Sequence, residues 1–332
     1  MADSDQGRAG AEDRPGAGRG LVRKLGTVVL VAALALGTGG FGTVDGLGQS
    51  SEHARMTRRA LAGFGIAPRT LKALAGGGWS FGAVGAADRP LRGLTGTKAA
   101  HCDGADHLDL KGYPQSTDAA AGHLEACQRW IRDNMDAAVA AAGGLAHGAG
   151  IPAEQCRFDG KAGGNAKCVV LERFGLALHA SQDFYAHSNW TDAPLAGPPT
   201  LERPPGLGAL GPSPWLLSGA ATSPPRGLIT GCFESLPEAF FCHGRVRHET
   251  LKKDNGGIPP SGPIGEGRTP RGKIDRNFAR AVDAAIQDTT ERWRQLEARI
   301  LARYGPADGS LILCRLKADD EKACAMRGRP SA

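Results

Sequence analysis

With 332 residues, 41% of them hydrophobic and 22% charged, the chain has a globular composition and is long enough for one large domain or two small ones. Its 49 Gly and 21 Pro imply long loops, and only 5% aromatics argues against an aromatic-rich β-sandwich and for Ala-faced helices whose backbones approach closely. The net charge of +6, from 40 Lys and Arg against 34 Asp and Glu, includes no basic block interleaved with aromatics; it does not mark a nucleic-acid binder, yet would not repel a phosphate-bearing ligand.

Residues 1–42 read as an export segment. Arg19, Arg23 and Lys24 precede the apolar run Val28 to Leu36, within an uncharged stretch from Leu25 to Gly42. That length suits a signal-peptide core better than a span of roughly 20 residues, with an uncleaved anchor as the alternative. Cysteine usage agrees with a secreted or extracytoplasmic chain. Cys102, Cys127, Cys156, Cys168, Cys232, Cys242, Cys314 and Cys324 form an even set with no C-x-x-C pair, which favours disulfides over a zinc ribbon. Nearest-neighbour pairing would close four local loops.

The domain that follows, 43–305, reads as helical. Ser50 to Phe64 has the spacing of a helix, with Glu52 and His53 in its first turn and Met56, Ala60, Leu61 and Phe64 along one face. From Ala75 to Thr97 the chain is Gly-rich and aperiodic, and it leads to an acidic loop containing His101, Asp103, Asp106, His107 and Asp109. A second helix spans Asp118 to His147, with Leu124, Cys127, Ile131, Met135, Ala138 and Ala142 on one face. A third runs from Ala166 to about Asn189. Pro/Gly-rich stretches at 193–230 and 255–272 read as insertions rather than packed elements. The last long helix, Asp275 to Tyr304, is stopped by Gly305-Pro306, and the tail 306–332 reads as disulfide-tied, with strand-like alternation from Leu311 to Leu316.

The third helix carries the chemistry. Steps of four residues put His179, Asp183 and His187 on one face over two turns, and two imidazoles with a carboxylate are first-row metal ligands. The string LHASQDFYAHSNW around them resembles the H-x-x-x-D-F-F/Y-x-H-S-N-F/W motif of Het-C-like proteins, including the N-terminal part of some von Willebrand A-domain proteins. Those are similar to the all-helical superfamily of zinc-dependent phospholipases C and single-strand zinc nucleases. Glu52-His53-Ala-Arg-Met-Thr57-Arg-Arg-Ala-Leu61 resembles the early H-x-x-I/M-T-x-x-A-L helix, and His101-Cys-Asp103 resembles an H-F-D segment of those proteins.

The resemblance covers roughly 42–190, strongest in the central motif, and more weakly 227–304. It implies an all-α bundle holding two or three Zn2+ ions. It also implies that His53, His101, His179, Asp183 and His187 are ligands, with His107 and His248 as further candidates. Asp103, Asp106 or Asp109 would be an added ligand or the general base. The implied activity is hydrolysis of a phosphodiester, phospholipid or nucleic acid, with membrane-surface contact in the first case; no protein partner is identifiable. The alternative is a non-catalytic, metal-stabilised interaction or maturation module. Two departures stand out. The phospholipases place their next His six residues after the Asp, whereas His187 follows Asp183 by four. Their late H-x-x-x-E pair has no clean counterpart either: His248 and Glu249 are adjacent, Asn277 stands where a His is expected, and His243 and His248 stand as the candidates.

Overall fold

The computed structural model describes residues 42–46, 49–147, 152–161, 165–234, 238–320 and 324, and among these the chain is all-α apart from one two-stranded ribbon. The apolar export run, Leu25 to Leu36, lies outside the described residues. The ribbon pairs β1 (Asp45–Gly46) with β2 (Gln49–Ser50) in antiparallel register. The longer helices are α1 (Glu52–Leu61), α2 (Pro68–Ala75), α3 (Thr117–Ala142), α4 (Ala166–His187) and α5 (Asn277–Lys317).

Helix α4 is the axis of the fold. Asn165 caps it, accepting from Cys168 N at 3.1 Å, and every residue from Phe174 to His187 is buried. Such a helix has no solvent face and must be wrapped by others. Helix α3 packs along one side with the expected stripe from Leu124 to Ala142, and α5 packs along another. Trp293 on α5 fills the space between Phe174 and Phe64, its ring centroid 5.5 Å from that of Phe174 and 6.2 Å from that of Phe64. Elsewhere the interface is largely Ala, which lets the helices sit close.

All four disulfides join sequence neighbours: Cys102–Cys127, Cys156–Cys168, Cys232–Cys242 and Cys314–Cys324. They indicate an oxidising, extracytoplasmic setting. Among the described residues no helix is long and apolar enough to cross a membrane.

Three expectations need correction. The Pro/Gly-rich stretches are irregular but not loose: Trp215, Leu216 and Leu228 from the first, and Ile258 and Ile264 from the second, belong to the main core. Apolar residues inside such stretches pack even where no periodicity announces them. Gly305 breaks the last helix, with φ 76° and ψ 170°, but does not end it. Pro306 is tolerated in the first turn of a new helix, where its missing N–H costs nothing, so helical structure resumes to Lys317. The expected alternation at 311–316 is therefore helical, and its buried positions, Ile312 and Leu316, are four apart rather than two.

Candidate metal centre

Two groups of donors line the core-facing side of α4. The first gathers around Asp183, whose Oδ1 lies 3.2 Å from His53 Nε2 and whose Oδ2 lies 3.0 Å from His101 Nδ1 and 3.1 Å from His179 Nε2. His53 comes from the first turn of α1, and His101 ends the short helical turn Lys98–His101. Asp88 closes the set from the 3-10 turn Val84–Asp88, its Oδ1 3.6 Å from His179 Nε2 and 3.8 Å from His101 Nδ1.

The second group joins the last residue of α4, His187, to Asp103 and His248. Asp103 Oδ1 lies 2.9 Å from His248 Nδ1 and 3.9 Å from His187 Nδ1, and the two imidazole centroids are 3.8 Å apart. His248 opens the helical turn His248–Leu251.

Close backbone approaches deliver the distant members. A Cβ on Gly175, one turn before His179, would sit 2.4 Å from the carbonyl carbon of Ala83, so only glycine lets the Asp88 turn lie on α4. Gly231 does the same for His248, whose Cα lies 2.2 Å from where a Cβ would be. Supporting hydrogen bonds orient the rings. His53 Nδ1–H donates to Gln182 Oε1 at 2.7 Å, leaving Nε2 toward Asp183; Gln182 Nε2 in turn donates to Thr57 and Thr289 at 3.0 Å each. The Thr43 hydroxyl donates to Asp88 Oδ2.

Burial makes the electrostatics strong. Burial alone would depress the His179 pKa, but the Asp183 and Asp88 carboxylates raise it to about 9. Asp183 is held well below the usual carboxylate range because, against the cost of burial, three imidazoles surround it. His187 goes the other way, pushed well below 6.5 by burial and by His248.

Metal ions fit these residues. Hydrogen-bond partners are wanting, among the described residues, for His101 Nε2, both ring nitrogens of His187 and Asp88 Oδ1, all fully enclosed. Buried polar atoms without partners are costly, and imidazole nitrogens converging on carboxylates supply the lone pairs that zinc takes. His53, Asp88 and His179, then His101, His179 and Asp183, then Asp103, His187 and His248, each present three donor atoms within 4.8 Å of one another.

Of the residues singled out in the sequence, His53, His101, His179 and Asp183 meet in the first group, and His187, His248 and Asp103 in the second. The others lie elsewhere. Asp106 receives a bidentate pair from Arg245, 2.8 Å from Nε and 2.5 Å from Nη2, and a hydrogen bond from the Tyr113 hydroxyl at 2.8 Å, so it is a structural bridge. His107 Nδ1 donates to Gln115 O at 2.7 Å, its ring edge-on to Tyr113. Asp109 and His243 are exposed. Asn277 supports a loop, accepting from Ala193 N at 2.8 Å and donating to Arg271 O at 3.2 Å. Asp88 escapes sequence reasoning: a lone carboxylate in a Gly-rich stretch carries no spacing signal. No protein family, curated protein or solved structure matches the chain.

Proposed function

We propose that the chain is an exported, metal-dependent hydrolase of phosphodiesters whose ions are held by His53, Asp88, His101, His179 and Asp183 in one place and by Asp103, His187 and His248 in the next. The observation that carries this reading is the Asp183 carboxylate, with one oxygen toward His53 and the other toward His101 and His179, one helical turn from a second donor group. Donors so arranged suit more than one ion side by side. Bound zinc acidifies a ligated water to a pKa near 7 and draws off charge developing on a phosphoryl oxygen. The chain's own residues fix the ligand rings, through Gln182 on His53 and Asp103 on His248, and exclude bulk water by burial. Asp103 is the one acidic candidate of the 103–109 loop that lies among imidazoles.

Depth of burial also favours a second reading, a metal-stabilised module without catalysis, because a structural site is closed by protein ligands whereas a catalytic one keeps a position open. Zinc analysis of the purified chain, combined with assays on phospholipid vesicles, single-stranded nucleic acid and a generic phosphodiester, separates the two. The hydrolase reading expects two or three ions and turnover that a chelator abolishes. Bound zinc with no turnover of any of the three favours the module, and a chain that takes up no metal overturns both. Activity on vesicles would bring the protein to a membrane surface.

A further inference from the structure

Helix α4 ends at His187, and carbonyls at a helix C-terminus have no partner within the helix. Lys253 takes the two that flank this residue. Its backbone N–H donates to Ala186 O at 3.1 Å, and its ammonium donates to Ser188 O at 2.6 Å. The same ammonium donates to Leu251 O at 3.1 Å, the last residue of the turn that begins with His248, and pairs with Asp192 Oδ1 at 3.0 Å. The other oxygen of Asp192 accepts from Arg271 Nε at 2.7 Å, and Arg271 reaches Pro204 O at 3.0 Å. Lys253 and Asp192 are both fully enclosed.

A buried ammonium is expensive unless each proton finds an acceptor, and an apolar side chain would fill the same space at a lower desolvation cost. What the cation adds is a fixed distance and direction between two backbone ends, and both ends carry imidazoles of the same donor group. We propose that Lys253 is the positioning residue of the Asp103–His187–His248 group, locking the C-terminus of α4 to the His248 turn at the separation where the two rings take up one metal ion. The proposal rests on reading that group as a metal site.

Lys167 provides a matched control. It too is buried, and its ammonium donates to carbonyls near the end of α5, Arg315 O at 3.1 Å and Ala318 O at 2.5 Å, remote in sequence from either donor group. The full chain, stripped of metal, is titrated with Zn2+ alone. Lys253→Met is expected to weaken one ion per chain by about 10–100-fold while the rest bind as in the wild type. Lys167→Met lowers the melting temperature but leaves every zinc affinity unchanged. If Lys253→Met yields no folded chain, Lys253→Gln, which keeps a donor, is read against the same control. Equal losses in the Lys253 and Lys167 variants, or none in either, overturn the positioning role while the metal reading stands. A wild-type chain that binds no zinc overturns the metal reading and this inference with it.

Discussion

The donors around Asp183 and those around Asp103 share one helix face yet are built by different means. In the first group every donor sits on or at the end of a helical element, and two carboxylates face three imidazoles. In the second, one imidazole ends a helix, the other opens a short turn, and the carboxylate sits in a loop. The electrostatic result follows from the ratio of charges. His179, between two carboxylates, is raised to about 9, whereas His187, buried against another imidazole, is pushed well below 6.5. Without ions, His179 keeps its proton whereas His187 stays neutral.

The largest effect should come from Asp183→Asn, which strips the first group of the carboxylate shared by three rings. Loss of one partner from a buried charged set costs about 3–5 kcal/mol, so denaturant unfolding of the metal-free chain should show a loss of that order, with zinc content falling in parallel. His248→Ala, by contrast, should lower zinc content by the second group's share alone. Unchanged zinc in both variants would end the distinction between the groups.

Next is the double substitution Cys102→Ser/Cys127→Ser. It removes the tie between α3 and the segment that supplies His101 and Asp103, and should cost about 3 kcal/mol by denaturant titration. Because the segment serves both groups, zinc affinity should fall in both.

A third contrast is read in protons. At pH 7.5 His179 is charged and must lose its proton to bind metal, so zinc uptake by the first group should release it, with affinity climbing by up to about tenfold per pH unit until pH nears 9. His187 is already neutral there, so its ligation should release none. Calorimetric titration in two buffers of different ionisation enthalpy, on the wild type and His248→Ala, measures both. The smallest effect expected is that of His107→Ala. Its ring bonds Gln115 O rather than a donor group, so zinc content should not change.

How much was legible beforehand follows the same division. The i, i+4, i+8 run His179, Asp183 and His187 declares itself because one helix sets its spacing, as does the buried stripe of α3. Asp103 and Asp106 are chemically alike and three residues apart, yet one faces imidazoles and the other a guanidinium from Arg245, far along the chain. No local pattern distinguishes them. Asp88 arrives only because Gly175 admits the backbone of Ala83, and Trp215 and Ile258 reach the core from stretches without periodicity. Contacts made at such range have no local signature, so the sequence hid them.

Cys102 stands between His101 and Asp103, one donor for each group, so on the metal reading its disulfide to Cys127 would couple oxidative maturation to ion loading. In a reducing compartment its thiolate and that of Cys127 would themselves be soft ligands competing for zinc, and the segment between the groups would lack its anchor to α3. On that reading, sulfur pairing is expected to precede ion uptake. Chain produced where thiols stay reduced should trap metal at the wrong atoms.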